Sequence, residues 1–501
     1  MGRPATLGEL KESGFEIRSV KEEIRRNLVR KLREGEELFP GIHGYERTVI
    51  PGLVNALLAC HDFILLGLRG QAKSRILRAL PELLNEEIPI LAGSDLNESP
   101  LRPITPQSRE LLAEKGDETP IEWIPRTARY NEKLATPDVS IADLLGDLDP
   151  IKAATRKLTY ADPRVIHFGI IPRTNRGIFA INELPDLSPR IQVGLLNILE
   201  ERDLQIRGFP IRIPLDLLMV FSANPEDYTN RGAIITPLKD RISSQVLTHY
   251  PGDLATAARI TSQEAWTARE AEEVEVVIPD LARRLVERIA FAARQSELVD
   301  QSSGVSARVP ISALEILASN LERRGWTTGD SPVHPRVADL HMLLPALTGK
   351  LEMVYEGEQQ GPELVSMKII GKAVKEEFAT LFPEIDRAAG SGGEDDTGPY
   401  SEILAWFAEG NTVTLSDEQP FREYEASLER VPGLFALVDR ERTPSSPQER
   451  AFLAELVLDG LHQSLKLGRD DMDREISYKE MVKFQLLGPR RMEGREEDDR
   501  F

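Results

Sequence analysis

The sequence predicts an α/β fold, a parallel sheet flanked by helices, and three stretches carry that prediction. Phe63–Leu66, Ile178–Ile181 and Leu215–Phe221 are short, largely apolar runs of the length expected for strands buried on both faces. Each run stops in polar residues. The first gives way to Gly67-Leu68-Arg69-Gly70-Gln71-Ala72-Lys73-Ser74, the second to Asn182-Glu183, the third to Ser222-Ala223-Asn224-Pro225.

The first stretch is the most informative. After Ser74, residues Ile76, Leu77, Ala79 and Leu80 recur at helical spacing. Strand, Gly-containing turn, Lys-Ser and helix is the order of a nucleotide phosphate loop. Backbone N–H groups at a helix N-terminus face the phosphates, and glycines let the backbone approach closely. In that role Lys73 holds the β/γ-phosphates and the Ser74 hydroxyl ligates Mg²⁺. The pattern expects Gly before the lysine, where this chain has Ala72, a steric cost if φ must be positive. The competing reading is a plain strand-to-helix turn with an exposed lysine.

The second and third stretches weigh against that plain reading. A phosphate-loop ATPase needs a residue at a neighbouring strand end to orient the metal shell, and a glutamate to polarise the attacking water. Glu183 supplies the glutamate. Asn182 stands on the metal side, where a carboxylate is usual, and offers a neutral, weaker oxygen ligand. Asn224, at the third strand end, is placed to orient the lytic water.

Composition bounds the rest. A chain of 501 residues is too long for one core and implies two to four domains. Acids outnumber bases by 82 to 62, a net charge of −20, which argues against a general nucleic-acid surface and leaves room only for a local basic channel. The single cysteine, Cys60, excludes a disulfide framework or cysteine metal site and reads as a small core residue. No apolar run approaches a membrane span and no signal-peptide pattern opens the sequence, so a cytoplasmic location is expected.

In order, residues 1–40 read as an N-terminal helical segment closed by Phe39-Pro40-Gly41, and 41–250 as the nucleotide-binding part. A Pro-containing stretch between Arg75 and about Arg173 reads as a partly irregular insertion, with Ile141–Asp149 as a short strand and turn. Ser188-Pro189 opens a helix, and Asp203–Ile213 alternates like a hairpin turning at Gly208. Arg241 precedes a final strand, Ile242–Leu247. Residues 251–388 read as a helical lid, with Leu281, Leu285 and Ile289 on one face and Arg308 near a helix start. Residues 389–399 have the composition of a flexible linker, 400–490 of a small helical domain and 491–501 of a charged tail.

This order of parts resembles an AAA+ ATPase, and most closely the branch of the MoxR-type ATPases and the ATPase subunit of magnesium chelatase. The carrying motifs are GLRGQAKS, NEL, LLNILEERDLQIRG, SANP, PLKDRI and SARVPIS, together with TPDVS and GDLD within Thr136–Asp149, and the resemblance spans roughly residues 40–385. It implies that Gly67, Gly70, Gln71, Ala72, Lys73 and Ser74 bind ATP and that Ser74 and Asn182 attend Mg²⁺. It further implies Glu183 as the base, Asn224 as the first sensor, Arg241 as an arginine finger acting on a neighbouring subunit, and Arg308 as the second sensor. Leu195–Ile213 looks like the mobile insert with which this branch engages partners. The resemblance also implies a homo-oligomeric, commonly hexameric ring, a partner with a von Willebrand A domain, and remodelling of a client protein. Two alternatives share these residues: the motor subunit of a magnesium or cobalt chelatase acting on a tetrapyrrole, and a nucleotide-binding scaffold that no longer turns over.

Overall fold

A computed structural model describes residues 3–149, 151, 154, 155, 163–205, 212–225, 234–269, 274–385, 398–472 and 475–481. The contacts group the chain into two units, Met1–Ile260 with Asp300–Arg308, and Thr261–Val299 with Val309–Phe501.

The first unit is built on a five-stranded parallel sheet. Its strands are β1 (Phe63–Leu66), β2 (Tyr130–Leu134), β3 (Gly177–Asn182), β4 (Leu217–Ala223) and β5 (Ser244–Leu247), in the spatial order β5-β1-β4-β3-β2. Side chains alternate between faces, so an apolar strand core feeds two layers at once. On one face Phe63, Leu65, Ile178, Ala180, Leu218 and Val220 pack with Ile24, Leu28, Leu53, Leu57, Ile76 and Leu77 from three helices. On the other, Ile64, Leu66, Phe179, Ile181, Met219 and Phe221 pack with Leu144, Ile171, Leu184, Ile191, Leu195 and Ile198. Each such Leu, Ile or Phe contributes about 1.5–3 kcal/mol when fully buried. At the base of β1, the buried Asp62 accepts from Met219 N at 2.8 Å and pairs with Lys21 at 2.9 Å and with Arg202. A buried carboxylate is tolerable only when paired in this way, and here it ties the starts of β1 and β4 together.

Several expectations are corrected. The stretch after Arg75 is not simply an insertion, because Tyr130–Leu134 forms β2, the edge strand beside β3. Its half-exposed, charged sequence hides it from a search for apolar runs. The N-terminal segment holds a short helix, Leu7–Glu12, and a longer one, Val20–Glu34, opened by a Ser19/Glu22 capping box and stopped by Gly35 at φ 68°, ahead of Phe39-Pro40-Gly41. Ile141–Asp149 starts as a helix, Ile141–Leu144, capped by Ser140, before the strand Gly146–Leu148. Arg241 ends a helix, Thr236–Arg241, and the last strand begins at Ser244. Cys60 is only partly buried, in the left-handed region at φ 58°.

Other expectations stand as drawn. The helix Pro189–Glu200 has Ser188 at its N-cap and Pro189 in its first turn. Asp203–Gln205 and Arg212–Pro214 pair antiparallel, while the turn at Gly208 lies outside the described residues.

The second unit is mainly helical. Leu281, Leu285 and Ile289 are buried along the helix Asp280–Arg294, as their spacing predicts. That helix packs on Pro362–Leu381, which packs in turn on Pro447–Gln463. The C-terminal part also holds a three-stranded antiparallel sheet, Val413–Ser416, Glu475–Glu480 and Leu467–Met472, where helix alone was expected. The linker over 389–397 and the tail over 491–501 lie outside the described residues. Among the described residues, no helix is long and apolar enough to cross a membrane.

Candidate functional site

β1, β4 and β3 are consecutive neighbours, so their three polar ends converge at one edge of the sheet. Leu66 lies opposite Ala223, and Phe221 opposite Ile181. This register sets Gly67 next to Asn224, and Ser222 next to Asn182. A ligand crevice outside the carboxyl ends of parallel strands is the general rule for such sheets.

The loop after β1 is shaped by close backbone packing. A Cβ on Gly67 would collide with Thr248 Oγ1 and Gln71 Oε1, and a Cβ on Gly70 would collide with Ser306. Gly70 also has φ 72°, so both glycines are required for steric reasons. Gln71 is buried and buttresses the loop. Its Oε1 accepts from Thr248 Oγ1 at 2.7 Å, and its carbonyl accepts from the Tyr45 hydroxyl at 2.9 Å. Its side chain is thereby committed to holding the loop. Ala72 caps the helix Lys73–Ala79 at φ 55° and ψ 14°, in the left-handed region that glycine favours.

Lys73 and the strand ends form a continuous polar chain. The buried Lys73 Nζ donates to Gly67 O, to Leu68 O at 3.0 Å and to Asn224 Oδ1 at 2.6 Å. Asn224 Nδ2 donates to Glu183 Oε2 at 3.0 Å. An ammonium can only donate and a carboxylate only accept, so these two partners fix which way the Asn224 amide faces. Glu183 itself stands at φ 55°, an uncommon conformation for a non-glycine residue and one concentrated at functional sites.

Asn182 Oδ1 accepts from Ser222 Oγ at 3.1 Å and lies 3.4 Å from Ser74 Oγ. Ser222 Oγ also accepts from Glu183 N at 3.3 Å, so one buried hydroxyl fastens both residues of the β3 end to β4. Glu132 of β2 is the nearby carboxylate. Arg78 donates to it from Nε at 3.0 Å and Nη2 at 2.5 Å, and the Tyr130 hydroxyl donates at 2.9 Å. The Arg78 hydrogen bonds, more than any other cause, hold the Glu132 carboxyl below the usual range; smaller contributions come from Tyr130 and the Asn182 amide.

The residues present fit a magnesium nucleotide. Mg²⁺ keeps several waters and takes one or two protein oxygens, and the Ser74 hydroxyl with Asn182 Oδ1 is such a set. The loop offers a buried ammonium and glycine-shaped backbone for phosphates.

Two predicted residues stand apart from this cluster. Arg241 donates to Glu200 Oε2 at 2.7 Å and to Pro237 O at 2.9 Å, and none of its bonds reaches the loop. Arg308 is exposed at the start of Arg308–Thr328; its own segment, Asp300–Arg308, reaches the loop through Ser306 at Gly70 and Ser303 O, 3.4 Å from Arg69 Nε. Sequence reading missed Ser222, Thr248, Tyr45 and Glu132. Ser222 alone had a signal, its place in the third polar strand end.

Comparison with family models and with curated proteins gave no match. Among solved structures, NtrX from Brucella abortus is similar over 61% of this chain and 56% of its own, at 16% identity and TM-score 0.33. This chain thus spans just over half of NtrX. A cryo-EM-based complex of subunits BchI and BchD of magnesium chelatase is similar over 65% of this chain and 99% of its own, at 20% identity and TM-score 0.33. Likenesses of this size do not decide between functions.

Proposed function

We propose that the chain is an AAA+ ATPase that binds Mg·ATP at Gly67–Ser74 and hydrolyses it. The observation that supports this reading best is the chain Lys73–Asn224–Glu183, which joins three separate strand ends into one charged unit. A buried lysine bonded to backbone carbonyls serves a plain turn poorly. A phosphate presents it with a better acceptor, and its departure frees Asn224. Bound Mg²⁺ would supply neutralisation of phosphate charge. Ser74 and Asn182 hold that ion, Lys73 holds the phosphates, Glu183 takes a proton from the attacking water and Asn224 orients it.

Arg241 completes the reading as a finger acting on the next subunit of a ring. In this chain it is held by Glu200 through a partly exposed ion pair, which contributes about 0–1 kcal/mol, so release toward a neighbour is inexpensive. Arg308 is the candidate for closing over the nucleotide. The work done with ATP is remodelling of a client, as in MoxR-like proteins, with a von Willebrand A domain protein as the partner class.

Calorimetry of ATP binding tests the foundation. Lys73→Ala removes a charged hydrogen-bond donor worth about 1.5–3 kcal/mol, so affinity should fall roughly tenfold to a hundredfold in a folded protein. Unchanged affinity would remove the site.

A further inference from the structure

Asn182 poses a problem that an aspartate would not. A carboxylate presents oxygen in either orientation, whereas an amide can turn its NH₂ toward the metal, where it would repel rather than ligate. The two hydroxyls beside it do not settle the matter. Ser74 Oγ and Ser222 Oγ can each donate to Oδ1 or accept from Nδ2.

The neighbouring strand carries a group that can, Glu132. It lies on β2, which runs parallel to β3 with Glu132 opposite Ala180 and Leu134 opposite Asn182. Partners in this register share a face, so Glu132 and Asn182 are diagonal neighbours on one side of the sheet. Both side-chain hydrogen bonds of Asn182 fall on Oδ1, and Glu132 is the carboxylate that the register sets diagonally beside its amide. Held ionised by Arg78 and aligned by Tyr130, it can only accept. We propose that Glu132 is a positioning residue: by accepting from Asn182 Nδ2 it turns Asn182 Oδ1 toward Ser74 and the magnesium position. This inference rests on the nucleotide reading above. It identifies an acid three strands from the phosphate loop's strand as the group that makes an asparagine serviceable at the metal side. Arg78, on the loop's own helix, and Tyr130 hold that acid in place.

The test measures binding, not turnover. ATP affinity is determined by calorimetry with Mg²⁺ and with chelator, and the ratio is the gain due to magnesium. In the native chain Mg²⁺ should tighten ATP binding. Glu132→Leu removes every acceptor and should cut that gain about tenfold, the lower end of the 10–100-fold expected for an outer-shell partner, with metal-free affinity unchanged. Glu132→Gln keeps one oxygen, for which Arg78, Tyr130 and Asn182 compete, and should fall between. Asn182→Ala should lose the gain by itself, and Glu132→Leu added to it should change nothing more, because the glutamate acts through the amide. A full gain in Glu132→Leu overturns the proposal. So does a further loss in the double variant, which would mean that the charge acts on the ion directly. Loss of metal-free affinity in both glutamate variants would mean a general structural role and overturns it too. Absence of ATP binding by the native chain would bring down the nucleotide reading as well, which separates the two failures.

Discussion

The loop after β1 and the residue pair that ends β3 each depart once from the phosphate-loop pattern, at Ala72 and at Asn182, and the two departures are absorbed differently. At Ala72 the adjustment is in the backbone. The residue takes φ 55° where glycine would be at ease, and its neighbours Gly67 and Gly70 keep the close contacts that only glycine permits. At Asn182 the adjustment is in side chains brought from elsewhere, with Ser74 and Ser222 on its oxygen side and Glu132 nearby on β2. A loop can be repaired locally because its function lies in N–H direction. Under the nucleotide reading a strand end cannot, because what matters there is which atom of Asn182 faces the ion.

Variants at the strand ends should therefore have the larger effects. Glu183→Gln keeps the shape and the hydrogen bond toward Asn224 but removes the base. Phosphate release should drop roughly 10²–10⁴-fold while ATP still binds. Persisting hydrolysis would show that another group activates the water and that the φ 55° of Glu183 serves only the turn. Ser222→Ala is the next step down. It strips a donor from Asn182 and an acceptor from Glu183 N inside a buried site, and an unsatisfied buried group costs about 1–3 kcal/mol. Urea unfolding should show that loss of stability, with turnover reduced further than ATP affinity. An unchanged unfolding midpoint would mean that the β3 end is not fastened through this hydroxyl.

What the sequence made legible follows the same division. The three strand ends and their polar residues were readable because apolar runs and their breaks are local signals. Gly67, Gly70, Lys73, Asn182, Glu183 and Asn224 do meet at one edge, as their places at strand ends imply. Glu132 was not readable. Its strand, Tyr130-Asn131-Glu132-Lys133-Leu134, is an edge strand with four half-exposed residues, so it carries no apolar run, and its contribution depends on pairing with a strand some fifty residues later. Thr248 and Tyr45 were silent for a related reason. Each buttresses the loop across a long sequence separation, through one hydroxyl. The Arg241–Glu200 pair is likewise a product of two helices packing, and nothing in either segment names the other.

The smallest effect is expected at Ala72, and its direction separates two views of the loop. Holding an alanine in the left-handed region costs about 1–2 kcal/mol. Replacing it with glycine removes that strain but loosens the unfolded chain, which returns about 0.5–1 kcal/mol. Ala72→Gly should therefore stabilise the protein by up to about 1.5 kcal/mol. A loop preformed with Ala72 at φ 55° carries its strain on folding, equally before and after ATP binds. Affinity should then change by less than about threefold, since only a difference between the free and bound states moves a binding constant. Thermal unfolding reads the first quantity and calorimetry the second. A tenfold gain in affinity with no change in stability would reverse the assignment. It would mean that Ala72 leaves the left-handed region in the free protein and is driven into it by the nucleotide. The loop would then be a moving part, repaired no more locally than the strand end beside it.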